Sequence, residues 1–158
     1  MAAGGFDDRH DVAQGLSVEL GGDYAAFAAA NDLNYGEFFV GAATESVNAR
    51  IYYSPRYFGE SSNAVYGEID ATRPLLDRVR LFAHGGYLRY RYESPYGLVP
   101  PHGDYTQRVW DGRIGVRIDL DPLQLEVAWV GVSNHFAAYL ITGATSPNGI
   151  VASLSLSF

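Results

Sequence analysis

Cysteine and lysine are both absent from the 158-residue sequence. Without cysteine there are no disulfides and no thiolate metal ligands, so the zinc-ribbon and redox-thiol classes of protein are excluded. All 11 basic residues are arginine, and 18 acidic residues outnumber them, which gives a formal charge of -7. This acidic balance argues against a nucleic-acid-binding surface.

Long apolar runs are also missing. No segment approaches the roughly 18 to 20 apolar residues of a membrane-spanning helix, and none shows helical periodicity. Only 18% of the residues are charged, whereas 47% are hydrophobic, a composition that excludes disorder. The length predicts a single domain, residues 1–158. Residues 1–5 lack the features of a secretory signal, so we expect a chain that is either not exported or a mature or shortened form.

Alternation of apolar and polar residues, the period of a β-strand, recurs along most of the chain. In the clearest case, residues 110–120, Ile114, Val116 and Ile118 alternate with Arg113, Gly115 and Arg117. Such a length suits a tilted membrane strand of about 9 to 11 residues. The sequence therefore predicts an all-β fold. Its expected strands are 15–21, 23–30, 35–44, 47–54, 65–70, 79–87, 110–120, 123–129 and 150–158.

Alternation alone does not tell which face of a strand points outward. In a soluble barrel the apolar face would point inward, whereas in an outer-membrane barrel it would meet lipid and the polar face would line the interior. Connection lengths favour the membrane barrel, because short joints (44–45, 71–76, 119–122) alternate with mostly longer ones (31–34, 55–61, 93–105, 134–148), as long loops collect on one rim. Aromatic residues near the strand ends also favour the membrane barrel, because amphipathic aromatic rings are enriched at the level of the lipid headgroups.

We therefore predict an antiparallel, up-and-down transmembrane β-barrel of about 8 to 10 strands in a bacterial outer membrane. The strand count depends on the first part of the chain. Either residues 1–12 form an additional strand, or residues 1–22 lie outside the barrel wall.

The segment from Ile51 to Gly59, with the sequence IYYSPRYFG, resembles the TorF-type porin family (Gcw_chp) of Gram-negative bacteria. The segments YGE at 66–68, LFAHGGY at 81–87, DGRIGV at 111–116 and LSLSF at 154–158 are similar to later parts of that family, so the resemblance covers roughly residues 35–158. It implies an outer-membrane barrel with a porin role and no catalytic residues. Family members generally begin with an additional strand, of which only residues 6–14 could be the remnant.

Polar faces of the predicted strands supply the candidate functional residues. Inside a narrow barrel their charges should pair across strands, because an isolated charge is costly to bury. The predicted lining residues are Asn48, Arg50, Glu68, Asp70, Arg80, His84, Asp111, Arg113, Arg117, Asp119 and Glu126.

The expected function is a narrow, porin-like channel for small hydrophilic solutes, embedded in outer-membrane lipid. One alternative is a non-conducting barrel with a structural role or an envelope protein partner, because an interior of about 8 strands is only just wide enough for side chains. A second alternative is a soluble, lipocalin-like barrel that binds an apolar ligand.

Catalytic and metal sites are not expected. His84 has no second ligand at a recognisable spacing, so a hydrogen-bonded lining residue is the expected role. Ser133 and His135 form no triad, because no acidic residue follows to orient the histidine. His10 lies among Asp7, Asp8 and Asp11, which we interpret as a solvated acidic end of the chain. We therefore predict that the protein is not an enzyme and requires no cofactor.

Overall fold

A computed structural model describes residues 2–26, 34–57, 63–92, 105–133 and 148–156. These residues form nine antiparallel strands in one sheet, in which the strand order follows the chain from β1 to β9. The described part of the chain contains no helix that is long and apolar enough to cross a membrane. The strands are β1 (Ala2–Ala13), β2 (Leu16–Ala26), β3 (Tyr35–Ala43), β4 (Val47–Ser54), β5 (Ala64–Leu76), β6 (Val79–Tyr92), β7 (Tyr105–Asp119), β8 (Leu123–Val132) and β9 (Asn148–Leu156).

The up-and-down order confirms the predicted all-β, antiparallel fold. The start of the chain forms β1, which pairs with β2 from Ala2 opposite Ala26 to Ala13 opposite Leu16. Residues 1–22 therefore do not lie outside the sheet. The two strands predicted at 15–21 and 23–30 are instead the single strand β2, which ends at Ala26. Alternation failed there because Gly21 and Gly22 carry no side chains that could show which face they occupy.

The joint predicted at 71–76 is also wrong, because β5 continues to Leu76 and the turn follows at residues 77–78. The predicted strand 65–70 ended where the alternation of apolar and polar residues ends, and Pro74, which lacks an N–H, is unusual inside a central strand. The Thr72 N–H donates to the Ser46 carbonyl over 2.8 Å, just before β4 begins. Pro74 lies two residues further along β5, past the start of β4, where a missing N–H breaks no hydrogen bond to β4.

Short and long connections alternate along the chain. The connections at 14–15, 44–46, 77–78 and 120–122 are short, whereas those at 27–34, 55–63, 93–104 and 133–147 are longer. Gly15, in the first short turn, has a φ of 74°, which favours glycine. Of the predicted loops 93–105 and 134–148, only Tyr105 and Asn148 belong to the described residues, as the first residues of β7 and β9.

The chain divides into two compact units, where a single domain is predicted. One contains Met1–Glu45, Ala49–Gly67 and Leu88–Arg108, and the other contains Ser46–Asn48, Glu68–Tyr87 and Val109–Phe158.

Candidate functional site

Burial on the strands is the reverse of that in a soluble β protein. The carboxyl-bearing residues Glu19 and Glu126 are only 2% and 8% exposed, whereas Leu20 and Ile114 are 61% and 59% exposed. On β2, Val18 and Leu20 on either side of Glu19 are both exposed. Consecutive side chains of a strand point to opposite faces. The charged face is therefore covered at Glu19 and Glu126, and the apolar face is open at Leu20 and Ile114.

The first side-chain cluster surrounds Glu19 in the unit that begins at Met1. The Arg9 side chain on β1 donates to Glu19 Oε2 over 2.9 Å. Arg50 on β4 donates to both carboxylate oxygens, through Nε to Oε1 and through Nη2 to Oε2 at 3.3 Å. Its guanidinium also lies 5.6 Å from the centre of the Phe39 ring, at a distance suited to a cation–π contact. Two arginines thus neutralise a carboxylate that is almost fully buried.

Gly41 explains how Arg50 reaches Glu19 across the intervening strand. It lies directly opposite Glu19 in the β2–β3 ladder. A Cβ atom on Gly41 would lie 2.7 Å from Glu19 Oε1 and 2.9 Å from Arg50 Cγ. The ion pair occupies the space that a side chain on β3 would otherwise fill.

A second cluster surrounds Glu126 in the other unit. Arg117 on β7 lies directly opposite Glu126 on β8 and donates to its Oε2 over 2.8 and 3.1 Å. Arg113, also on β7, forms a salt bridge to the other oxygen, Oε1. Both guanidinium groups lie over the Phe82 ring. Cζ of Arg113 is 4.9 Å from the centre of the ring, and Cζ of Arg117 is 5.5 Å from it. The predicted charge pairing thus occurs here, with two arginines on one carboxylate.

The Arg80 pair lies close to the short turns. Arg80 donates to Asp119 Oδ2 through Nε at 3.1 Å and through Nη2, and Gln124 donates to Asp119 Oδ1 at 2.7 Å. Arg80 remains exposed to solvent. This pair is therefore screened more strongly by water than the Glu19 and Glu126 clusters.

His84 on β6 lies between two aspartates. Its Nδ1 lies 2.8 Å from Oδ1 of Asp70 on β5, and its Nε2 lies 2.9 Å from Oδ1 of Asp111 on β7. Glu68 precedes Asp70 on the same face of β5, and the ligand atoms of Glu68, Asp70 and His84 all lie within 4.8 Å of one another. The carboxylates that approach His84 thus come from the two neighbouring strands.

The structure places all eleven predicted lining residues on strands, and ten of them are buried or half-buried, with Arg80 as the exposed one. The Asn48 side-chain oxygen is buried and accepts no hydrogen bond from the described residues. Ser133 accepts a hydrogen bond from the Trp110 N–H over 2.8 Å, and His135 lies outside the described residues. His10 and Asp8 are both exposed, and Nε2 of His10 lies 3.0 Å from Oδ2 of Asp8.

Sequence reasoning missed Glu19 and Arg9. A signal for Glu19 was present, because it lies between Val18 and Leu20 on an alternating strand and therefore on the face opposite to them. Arg9 had no such signal, because β1 lacks regular alternation. Its role depends on the β1–β2 register, in which it lies directly opposite Glu19.

Aromatic rings gather beside the longer connections. In the first unit, the ring centre of Tyr57 lies 5.3 Å from that of Tyr35 and 6.1 Å from that of Tyr90. Tyr57 follows β4, and burial raises the pKa of its hydroxyl to about 12. In the other unit, the Tyr87 and Trp110 rings are 4.3 Å apart. Trp110 is largely exposed.

Comparison with known proteins identifies no relative: no family model, no curated protein and no solved structure matches the chain. The resemblance of residues 35–158 to TorF-type porins therefore stays a prediction.

Proposed function

We propose that the protein is an outer-membrane β-barrel that forms a narrow, porin-like channel for small hydrophilic solutes. The observation that carries this proposal is the reversed burial of the strands. Leu20, Ile51 and Ile114 are all more than half exposed, while charged side chains occupy the covered face. Lipid is the solvent in which an open apolar face and a covered polar face are both favourable.

The soluble alternative fits this burial poorly. A lipocalin-like protein encloses its ligand in an apolar interior and shows polar side chains to water. Here the covered face carries the Glu19 and Glu126 clusters, while Trp110 and Trp129 are 61% and 48% exposed. Exposed apolar surface of this extent marks an interaction with a membrane or a protein.

The charges of the covered face support a channel of modest selectivity. In a closed barrel this face would line the water path, where charges interact with a passing ion through little screening water. The predicted lining charges nearly balance, with four arginines (Arg50, Arg80, Arg113, Arg117) against five carboxylates (Glu68, Asp70, Asp111, Asp119, Glu126), so their fields largely cancel. The net charge of -7 then leaves a weak preference for cations.

Conductance of the purified protein in planar bilayers tests the proposal. We expect small, weakly cation-preferring conductance in the unaltered protein. Arg113→Ala combined with Arg117→Ala should increase the cation preference, because Glu126 loses both partners. Two charges about 6 Å apart interact by roughly 0.7 kcal/mol even in water, so removing two positive charges should increase cation permeability by up to about tenfold.

The matched control is Arg89→Ala combined with Arg91→Ala. It removes the same charge from the same kind of residue, but both side chains are exposed near the end of β6. Its selectivity should stay close to that of the unaltered protein. Equal shifts in both double variants would contradict a path along the charged face.

A non-conducting barrel with a structural or docking role is the second candidate. The observation that favours it is the bulk of the charged face, where Phe39, Phe82 and Tyr52 pack beside the ion pairs. Side chains of this size fill the interior of a small barrel. If folded protein stays electrically silent at every voltage, together with both double variants, this candidate replaces the channel.

A further inference from the structure

We propose that Glu68, Asp70 and His84 bind a late first-row divalent cation, with Zn²⁺ the best match to these ligands. The site combines one imidazole nitrogen with two carboxylate oxygens. This set is typical of zinc, whereas Mg²⁺ and Ca²⁺ favour six or more oxygen ligands. The inference concerns the His84 cluster alone and does not depend on whether the protein conducts ions.

Strand geometry brings the three ligands together. Glu68 and Asp70 are two residues apart on β5 and therefore share a face, and His84 comes from the adjacent strand β6. A tetrahedral site with bonds near 2.1 Å holds its ligand atoms roughly 3.4 Å apart. The three ligand atoms already lie within 4.8 Å of one another, and Nδ1 of His84 lies 2.8 Å from Asp70. Small side-chain rotations are enough to form the site.

The hydrogen bonds of His84 also point to a cation at this position. A neutral imidazole donates from only one of its nitrogens. If Nε2–H donates to Asp111, then the Nδ1 lone pair faces an Asp70 oxygen across 2.8 Å. Two acceptors this close require a proton or a metal ion between them. The carboxylate of Glu68 on the same side gives the metal ion a third ligand.

Asp111 is the positioning residue of this site. A histidine that binds a metal typically donates its other N–H to a carboxylate, which fixes the tautomer and increases the basicity of the ligating nitrogen. Asp111 has this relation to His84, at 2.9 Å from Nε2. The fourth coordination position would be filled by water.

Calorimetric titration of the folded, detergent-solubilised protein with ZnCl₂, and separately with MgCl₂, tests the proposal. We expect saturable binding of one Zn²⁺ per chain and no comparable signal with Mg²⁺. His84→Asn should abolish this binding, and Asp111→Asn should weaken it about 10- to 100-fold. The sequence contains no cysteine, so no thiol competes for the ion.

His10→Asn is the matched control, because His10 also lies 3.0 Å from an aspartate but in an exposed pair. This variant should bind Zn²⁺ like the unaltered protein. If His84→Asn does not fold, then Glu68→Gln, which keeps both aspartates beside His84, should still weaken binding at least tenfold. Absence of Zn²⁺ binding, or binding that His10→Asn abolishes and the His84 cluster variants keep, would overturn the proposal and leave a proton as the bridging charge.

Discussion

At the scale of single residues, glycines determine where large charged side chains can pack on the covered face. Gly115 lies on β7 between Arg113 and Arg117, directly opposite Ala128. A Cβ atom there would lie 2.5 Å from Cζ of Phe82 and 2.9 Å from Cα of Ala128. Gly115 therefore leaves room for the ring over which both arginines lie.

Replacing Gly115 with alanine should destabilise the protein. The added methyl group would collide with backbone atoms of β8 as well as with Phe82, and overpacking of this kind costs about 1 to 3 kcal/mol. The free energy of unfolding, measured by urea titration in lipid vesicles, checks this. Gly67→Ala is the control, because no atom lies within 4 Å of a Cβ at Gly67. Equal losses in the two variants would argue against close packing at Gly115.

Individual roles on the covered face could be predicted only in part. Alternation assigned Arg113, Arg117 and Glu126 to the polar face, and the structure pairs them. The sequence could not pair Arg50 with Glu19, because the contact crosses β3 and depends on the absence of a side chain at Gly41. Arg50 and Glu19 are 31 residues apart in the sequence. To predict their contact, the register of three strands must be known, and alternation within a single strand gives no information on register.

At the scale of elements, alternation predicted best the strands whose two faces differ most in polarity. β7 and β8 were recognised because apolar residues such as Ile114 and Val127 alternate with a face that carries charges, such as those of Arg113 and Glu126. β2 was split at Gly21–Gly22, and β5 was ended at Asp70, where the alternation stops. Both errors have one cause: alternation is a signal within one strand, whereas pairing with the neighbouring strands determines how far a strand extends.

Ile114→Arg tests which solvent surrounds the apolar face of β7. Ile114 is 59% exposed. Arginine near the bilayer midplane would lower the free energy of unfolding by about 2 to 4 kcal/mol, whereas the same change on a surface in water usually stays within about 0.5 kcal/mol. Urea unfolding in vesicles, followed by tryptophan fluorescence, measures the difference.

Leu120→Arg is the control for depth in the membrane. Leu120 is also exposed, at 47%, but it lies in the turn after β7, where arginine should cost only about 0 to 1 kcal/mol. Similar small losses in both variants would place the apolar face of β7 in water.

At the scale of the whole molecule, the connection lengths indicate an orientation. In an up-and-down sheet, every second connection lies at the same end of the strands. The short connections, such as 77–78 and 120–122, therefore lie at one end of the strands, and the long connections join the strands at the opposite end. Outer-membrane barrels place short turns on the periplasmic side and longer loops outside the cell. We therefore expect 93–105 and 134–148 to be extracellular.

Chymotrypsin added to intact cells that carry the protein checks this orientation. The two long connections contain suitable residues, such as Tyr96 and Phe136, and the short connection between β7 and β8 contains Leu120. We expect fragments from cleavage at the long connections only, because the outer membrane shields the short ones. Permeabilised cells are the control, since cleavage at Leu120 should then become accessible. Fragments that end only at Leu120 or Leu123 in intact cells would reverse the orientation, and with it the assignment of the long connections to the cell exterior.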